Sequence, residues 1–208
     1  MGKESCSRES GCFRVSRKPT WGTCAGLILL AESANRTKQG GQELVGGLDV
    51  RVNRNYFGRQ IESFQADLDI PFLHEHDGAR GDAPEVPYPG VFIRSPIVEE
   101  VLPAIQEDEA KRDAIVVAPS RPTGLGADPK LRDAPVEILA RLPGRAAMLK
   151  DGRTRENLDE KVSDIIAVRQ ANVFGTCFHP ELTGDPRIHI WWLKQVVGAV
   201  KAVEKNGH

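Results

Sequence analysis

Residues 22–26, with the pattern G-x-C-x-G, restrict the fold of this chain more than any other feature of its sequence. The pattern is the cysteine counterpart of a nucleophile elbow, a strained turn that joins a strand to a helix. Residues beside such a turn must be small, and glycine removes the side-chain clash. We therefore predict a strand end at residues 19–23, a nucleophile at Cys24, and a buried helix over residues 25–33, which are apolar on nearly every side.

The helix after Cys24 has a chemical consequence for the thiol. Its first backbone amides point towards the turn, so we expect them to lower the thiol pKa and to receive a developing oxyanion. The Ala25 N–H is the predicted oxyanion donor. For this pattern taken alone, a buried structural cysteine in a glycine-rich turn is an equally good interpretation.

Residues 179–181, H-P-E, follow an apolar run that ends at Phe178. Residues two apart on an extended segment face the same side, so His179 and Glu181 are able to reach one site. A neutral imidazole accepts the thiol proton, and a carboxylate fixes its tautomer and stabilises the imidazolium. H-P-E alone usually marks only a turn, but both motifs in this order favour a Cys24, His179, Glu181 triad.

The remainder of the chain alternates strand-like and loop-like segments. Strands are predicted at residues 48–53, 61–68, 90–94 and 136–142, a hairpin at 164–178, an amphipathic helix at 187–204, and loops at 39–47 and 71–89. Residues 99–134 and 144–163 are charge-dense insertions, expected to be largely without fixed structure. This order predicts an α/β sheet with added antiparallel strands. The other histidines are expected to be solvated: His74, His76, His189 and His208.

Length and composition describe the background for these motifs. The 208 residues fit one domain, predicted at 19–208, after a leader at 1–18 that lacks any apolar period. A transit peptide is the alternative for that leader. The net charge of −1 argues against nucleic acid or an anionic membrane surface as a partner, and no apolar run is long enough for a bilayer. The four cysteines lack metal-ligand spacing, which indicates a cytoplasmic protein without a metal site.

Longer stretches around both motifs carry a family resemblance. The segment K-P-T-W-G-T-C-A-G-L-I-L-L-A-E from Lys18 and the segment F-H-P-E-L-T from Phe178 resemble the class I (triad) glutamine amidotransferases. Within that class, four further segments are similar to the glutaminase subunit of pyridoxal 5′-phosphate synthase. They are G-G-Q-E-L-V-G-G-L-D at 40–49, R-N-Y-F-G-R-Q at 54–60, S-F-Q-A at 63–66 and G-V-F-I-R-S-P at 90–96.

This resemblance implies a fold and a reaction. The fold would be the α/β, flavodoxin-like three-layer fold of class I amidotransferases, with a mixed sheet. Cys24 would attack the side-chain amide of L-glutamine, and water would hydrolyse the γ-glutamyl thioester. The ammonia would pass to a (βα)8-barrel synthase subunit that builds pyridoxal 5′-phosphate (vitamin B6), so that molecule is a product and the chain itself needs no cofactor.

The same resemblance implies residues that contact glutamine. Arg54 and the pair Ile93 and Arg94 fall at the family's substrate-binding positions. An arginine suits the α-carboxylate because its planar fork binds two oxygens at once. The alternative for each arginine is a solvated surface side chain.

The start of the chain departs from the family pattern. Members begin with a strand that carries a G-L-Q-G-like turn, and a G-G-E-S-T-like loop follows ahead of the nucleophile; residues 1–18 match neither. The sequence therefore predicts an N-terminally truncated domain that lacks one oxyanion donor, a loss worth about 100- to 1,000-fold in rate. Two alternatives follow: a catalytically silent truncated paralogue or isoform that binds or regulates the synthase subunit, and an unrelated cysteine hydrolase such as a peptidase.

Overall fold

The computed structural model describes residues 18–35, 43–54, 63–74, 86–102, 115–117, 134–144 and 164–206, with backbone alone at 115–117. These residues form ten strands and three α-helices. The strands are β1 Thr20–Thr23, β2 Ala31–Asn35, β3 Leu48–Asn53, β4 Ser63–Leu68, β5 Tyr88–Ile93, β6 Ile97–Val101, β7 Ile115–Val117, β8 Glu137–Arg141, β9 Ile165–Gln170 and β10 Val173–Thr176. The helices are α1 Ala25–Leu30, α2 Pro71–His74 and α3 Arg187–Asn206, and a single 3-10 turn covers Pro180–Leu182.

The described strands form two four-stranded sheets and a hairpin. One sheet has the order β1-β10-β9-β8, the second has the order β6-β3-β2-β7, and β4 pairs with β5. The β1–β10 and β2–β3 pairs are parallel, whereas the other described pairs are antiparallel. The predicted α/β class with a mixed sheet is therefore confirmed.

A buried glutamine joins the two four-stranded sheets. The Gln170 side chain accepts a hydrogen bond from the Asp49 N–H (2.7 Å) and donates to the Asp49 carboxylate (2.6 Å). It also donates to the Ala134 carbonyl at 2.7 Å. Because a buried amide must be hydrogen-bonded to avoid a large desolvation cost, this network fixes the end of β9 against the start of β3.

The core lies where α1 and α3 pack on the first sheet. Gly175 of β10 permits this packing, because a Cβ there would lie 2.6 Å from a Leu27 methyl and 2.9 Å from a Leu48 methyl. On α3, Ile188 and Trp191 are buried, and the Trp191 ring centroid is 5.1 Å from that of Phe174. The strand that precedes the H-P-E motif is thus held by side chains from two helices.

The predicted helix over residues 25–33 is wrong at its C-terminal end. Helix α1 ends at Leu30, and Ala31 is already extended (φ −68°, ψ 144°). From Ala31 the chain forms β2, which pairs with β3 on one side and β7 on the other. A run that is apolar on every side fits a buried strand as well as a buried helix, and the pairing partners decide between them.

Two other sequence predictions are wrong in part. Residues 99–101 belong to β6 and Ile115–Val117 form β7, so this part of the predicted 99–134 insertion is ordered by strand pairing. On α3, Val200 and Val203 are exposed although they continue the apolar period. A 20-residue helix is about 30 Å long, which exceeds the length of the strands beneath it.

Most of the remaining elements are confirmed where the structure describes them. The strands near 48–53, 63–68, 88–93 and 137–141, the 165–176 hairpin and the long closing helix are all present. Residues 43–47 lack regular structure, as predicted, whereas Pro71–His74 form one helical turn within the predicted 71–89 loop. Most of residues 1–18 and 144–163, and most of 103–133, lie outside the described residues, so the leader and the insertions stay predictions.

Gly22 provides a test of the strand-to-helix packing. A Cβ at this position would lie 2.5 Å and 2.6 Å from backbone atoms of Gly26, so Gly22→Ala forces the helix away from the strand. We expect a loss of about 2–3 kcal/mol in the free energy of unfolding, measured by urea denaturation. Gly26→Ala is the matched control, because among the described residues no atom outside its neighbours and its own helix backbone lies within 4 Å of its Cβ position, and alanine favours the helix by up to about 1 kcal/mol. Equal effects of the two changes would contradict this packing.

Candidate active site

Cys24 occupies a strained turn between β1 and α1. Its backbone has φ 46° and ψ −101°, a combination that costs an L-residue about 1–3 kcal/mol. The Cys24 N–H donates to the Thr176 carbonyl at 2.8 Å, which holds the turn against the end of β10. The half-buried thiol therefore projects from a sharp strand-to-helix turn, as the G-x-C-x-G pattern predicts.

Parallel pairing brings the two sequence motifs to one edge of a sheet. Strands β1 and β10 are neighbours with Thr23 opposite Thr176. Cys24 follows the first strand directly, and His179 follows the second by three residues. The carboxyl ends of adjacent parallel strands are a common location for ligand sites, and both chemical groups lie there.

Strand β5 contacts both segments and sets their separation. The His179 N–H donates to the Val91 carbonyl at 2.8 Å, and the Cys24 Sγ lies 3.9 Å from the Ile93 carbonyl oxygen. Carbonyls two residues apart on a strand point to the same side and are about 7 Å apart. The thiol and the backbone of His179 thus lie along the same short length of one strand.

His179 and Glu181 contact each other directly. The Nδ1 of His179 lies 2.7 Å from a Glu181 Oε1, with side chains 20% and 48% exposed. Because an ionised carboxylate only accepts hydrogen bonds, Nδ1 carries the proton in this contact. Nε2 of the neutral ring is then the nitrogen that accepts a proton.

The predicted glutamine contacts fall beside this centre. Ile93 ends β5 at the thiol, and the exposed Arg94 follows with φ 45°. Arg54 follows β3, and its N–H donates to the Asn35 side chain at 2.7 Å. It lies one residue beyond Asn53, whose β6 partner is Ile97. Strand pairing therefore places the backbone of Arg54 close to the turn that begins at Arg94.

Arg54 is partly buried and keeps its positive charge. Desolvation by burial lowers the pKa of its guanidinium from the ordinary value. An arginine side chain stays protonated in proteins. The cation that a carboxylate requires is therefore retained at this position.

Ala25 is the first residue of α1 and is exposed. The first amides of a helix have no acceptor within the helix, so the Ala25 N–H is oriented for an external acceptor beside the thiol. Helix α1 has six residues. The local amide dipole, more than the field of a long helix, is therefore what acts at this position.

The segment after the motif is anchored by an ion pair. The Asp185 carboxylate accepts hydrogen bonds from the Arg187 guanidinium at 2.6 Å and 2.9 Å and from the Arg187 backbone N–H at 3.0 Å, which caps α3. Arg187 also donates to the Val86 and Pro87 carbonyls and lies over the Tyr88 ring. The end of the H-P-E turn is thereby fixed to the start of β5.

The same ion pair predicts a pH dependence. The Arg187 hydrogen bond holds the pKa of Asp185 below its ordinary value, so the folded state favours the carboxylate. Its stabilisation is complete above the unfolded pKa near 4 and is lost as the pH falls through the lowered value. We expect Asp185→Asn to lower the free energy of unfolding by about 1–2 kcal/mol at pH 7 and by progressively less below about pH 4. Urea unfolding of wild type and variant at neutral and at acidic pH measures this difference in stability. A difference between the two proteins that increased at acidic pH would contradict the ion pair.

Several residues that position the site carry no sequence signal. Thr176 is fully buried. Its hydroxyl accepts a hydrogen bond from the Trp21 indole N–H at 3.3 Å, and its backbone carbonyl accepts one from the Cys24 N–H. Val91 acts through its carbonyl, and Ser95 donates to the Cys177 carbonyl. Backbone acceptors and single hydroxyls have no characteristic spacing, so only the match at residues 90–96 pointed to this region.

The other described histidines are not fully solvated, which corrects the sequence prediction. His74 is half-buried, with Nε2 3.1 Å from the Asp69 carboxylate. His189 packs on Trp21, with ring centroids 5.4 Å apart, because α3 lies against β1. His76 and His208 lie outside the described residues.

The described part of the chain contains neither a metal-binding cluster nor a helix that could span a membrane. No three His, Cys, Asp or Glu side chains there are grouped closely enough to bind a metal ion. None of its helices combines the length and the apolar character needed to cross a bilayer.

Comparison with known proteins gives consistent relatives. Residues 11–136 match the SNO glutamine amidotransferase family, a range that includes Cys24 and ends before His179. "Probable pyridoxal 5'-phosphate synthase subunit PDX2" of Arabidopsis thaliana is 39% identical over 85% of this chain, and "Pyridoxal 5'-phosphate synthase subunit PdxT" of Leifsonia xyli is 39% identical over 88%. The PdxT protein of Methanosarcina mazei is 33% identical over 95% of this chain and 69% of its own length.

This chain covers only part of the length of these relatives and of a similar solved structure. The chain spans 57% of the Arabidopsis relative and 62% of the Leifsonia relative. A solved structure described as "Crystal structure of glutamine amidotransferase" is 29% identical, with a TM-score of 0.49, over 86% of this chain and 60% of that one. The family match covers more than half of the sequence and contains the elbow cysteine. This chain belongs to the SNO glutamine amidotransferase family.

Proposed function

We propose that this chain is a glutaminase, the ammonia-supplying subunit of a pyridoxal 5′-phosphate synthase. Family membership and the names of its relatives support the activity class and the complex. The single observation that carries the proposal is the parallel β1–β10 pair. It delivers Cys24 and the His179–Glu181 contact to one sheet edge, under a shared strand.

The geometry supports an order of proton and bond changes. Nε2 of His179 takes the Cys24 proton, and the thiolate attacks the side-chain amide carbon of glutamine. The Ala25 N–H stabilises the oxyanion. The imidazolium, stabilised by Glu181, returns its proton to the leaving nitrogen, so ammonia departs and a γ-glutamyl thioester remains. His179 then removes a proton from water, which attacks the thioester and releases glutamate.

The substrate is held, in this proposal, at the end of β5 and β3. The arginine side chains of Arg94 and Arg54 bind the α-carboxylate of glutamine, and Ile93 contacts its side chain beside the thiol. Arg54 follows β3 directly and Arg94 precedes β6 by three residues, so the β3–β6 pairing holds these two backbone segments close together. In this proposal the ammonia passes to the synthase subunit. The cytoplasmic location of the chain stays a prediction.

A direct assay separates this function from the silent alternative. Purified chain, alone and mixed with a pyridoxal 5′-phosphate synthase barrel subunit, is incubated with glutamine, and glutamate release is measured. Release that increases on adding the barrel subunit and is absent without glutamine supports the proposal. Co-purification with the barrel subunit without any glutamate release would favour the silent binding protein, and neither result would reject both.

A further inference from the structure

Three residues at every second position near the end of β5 contact the segments that carry Cys24 and His179. Val91 accepts the His179 N–H, and the Ile93 carbonyl contacts the Cys24 thiol. Ser95, two residues further, donates its hydroxyl to the Cys177 carbonyl. The first two contacts use backbone carbonyls that any sequence provides, whereas the third depends on the identity of one side chain.

The Ser95 contact is buried and has a fixed acceptor. Ser95 is 2% exposed, and Cys177 is fully buried. On its other side, the Cys177 N–H donates to the Ile166 carbonyl of β9 at 2.8 Å, so this peptide segment is held by the sheet. A hydroxyl has one proton to donate, and the alternative Pro96 carbonyl lies further away, at 3.4 Å. Ser95 therefore fastens the turn after β5 to the segment that leads to His179.

The residue between these anchors is under backbone strain. Arg94 has φ 45°, a left-handed conformation that an arginine adopts only when its surroundings impose it. Ile93 on one side lies against the thiol, and Ser95 on the other side is bound to Cys177. Without the second anchor, the turn would relax towards an ordinary conformation and carry Arg94 away from its present position.

We propose that Ser95 is a positioning residue that holds the Ile93–Arg94 turn in place, so that Arg94 receives the α-carboxylate of glutamine. This proposal rests on the glutaminase function proposed above. In this proposal Ser95 acts through Arg94 and the binding of the substrate. Its loss therefore raises KM for glutamine more than it lowers kcat.

A double-mutant cycle tests this route of action. KM and kcat for glutamine are measured for wild type, Ser95→Ala, Arg94→Ala and the double variant. We expect about a 10-fold rise in KM for Ser95→Ala with kcat changed less than threefold, and no further rise when Ser95→Ala is added to Arg94→Ala. Ser33→Ala is the matched control, because it removes the hydroxyl of a different buried serine, which lies on β2. This change should leave KM unchanged.

Each other result would overturn the proposal in a recognisable way. A KM for Ser95→Ala within twofold of wild type, or effects of the two single changes that multiply, would mean that Ser95 does not act through Arg94. If Ser95→Ala does not fold by urea titration, Ser95→Cys keeps the shape with a weak donor, and an unchanged KM there has the same meaning. A wild type without any glutamate release would reject the glutaminase function itself, and the Ser95 proposal with it.

Discussion

Replacing Cys24 with alanine is expected to reduce glutamate release by at least about 10⁴-fold, to the background of the assay. In the proposed mechanism only the Cys24 thiolate, on the strained β1–α1 turn, forms the thioester, so no neighbouring residue replaces it. Removing the nucleophile of a triad eliminates nearly all of the covalent route, and effects of that size are usual. Release of glutamate from a purified variant, followed over hours with a coupled assay, measures the loss.

A second cysteine supplies the control for this change. Cys177 is fully buried, and its carbonyl, not its thiol, accepts the Ser95 hydrogen bond. Cys177→Ala keeps the backbone, so kcat should stay within a few-fold of wild type while stability falls by about 1 kcal/mol. Similar loss of activity in both variants would show that the Cys24 effect is structural and would reject its role as nucleophile.

Replacing His179 with glutamine is expected to lower kcat by about 10³-fold, with a much smaller change in KM. Glutamine keeps a polar side chain near Glu181, but it neither removes the thiol proton nor returns it to ammonia. The loss is smaller than for Cys24→Ala because the nucleophilic thiol remains. Steady-state kinetics with glutamine at pH 7.5 measure both parameters.

His189→Gln is the matched control for the His179 change. His189 lies on α3, is half-buried and packs on Trp21 of β1. Its replacement should leave kcat within threefold of wild type. Equal effects at the two positions would mean that imidazole loss acts through folding, and the acid–base assignment would be abandoned.

The candidate catalytic residues could be named from the sequence because their signals are local. The pattern at residues 22–26 requires a small residue before the nucleophile, and the structure shows why at Gly22, whose Cβ would meet the backbone of Gly26. At Gly26 a Cβ would meet none of the described residues beyond its own helix, so packing among those residues does not require the second glycine. H-P-E likewise predicted that His179 and Glu181 reach one site, and their 2.7 Å separation agrees with it; the predicted extended segment is wrong, because the contact forms across the 3-10 turn at Pro180–Leu182.

Other features escaped prediction because their determinants lie far apart in the chain. Helix α1 stops at Leu30 because β2 finds pairing partners on both sides, which an apolar run does not reveal. β7 forms inside a segment that its charge density marked as an insertion. The Ser95 hydroxyl finds its acceptor at the buried Cys177 carbonyl, 82 positions away in the chain.

By itself, the sequence determined the type of chemistry: a cysteine on a glycine-flanked turn, a histidine and a carboxylate two residues apart, and a closing helix. Side-chain identity, backbone sterics and short periodicities decide such features within a few residues. The tertiary structure alone decided that β1 and β10 are parallel neighbours, although the Trp21 and Thr176 side chains that meet there are 155 positions apart. Strands so far apart in the chain pair because the fold buries them together and because their hydrogen bonds form only in the folded chain. Local periodicity in the sequence indicates neither of these causes.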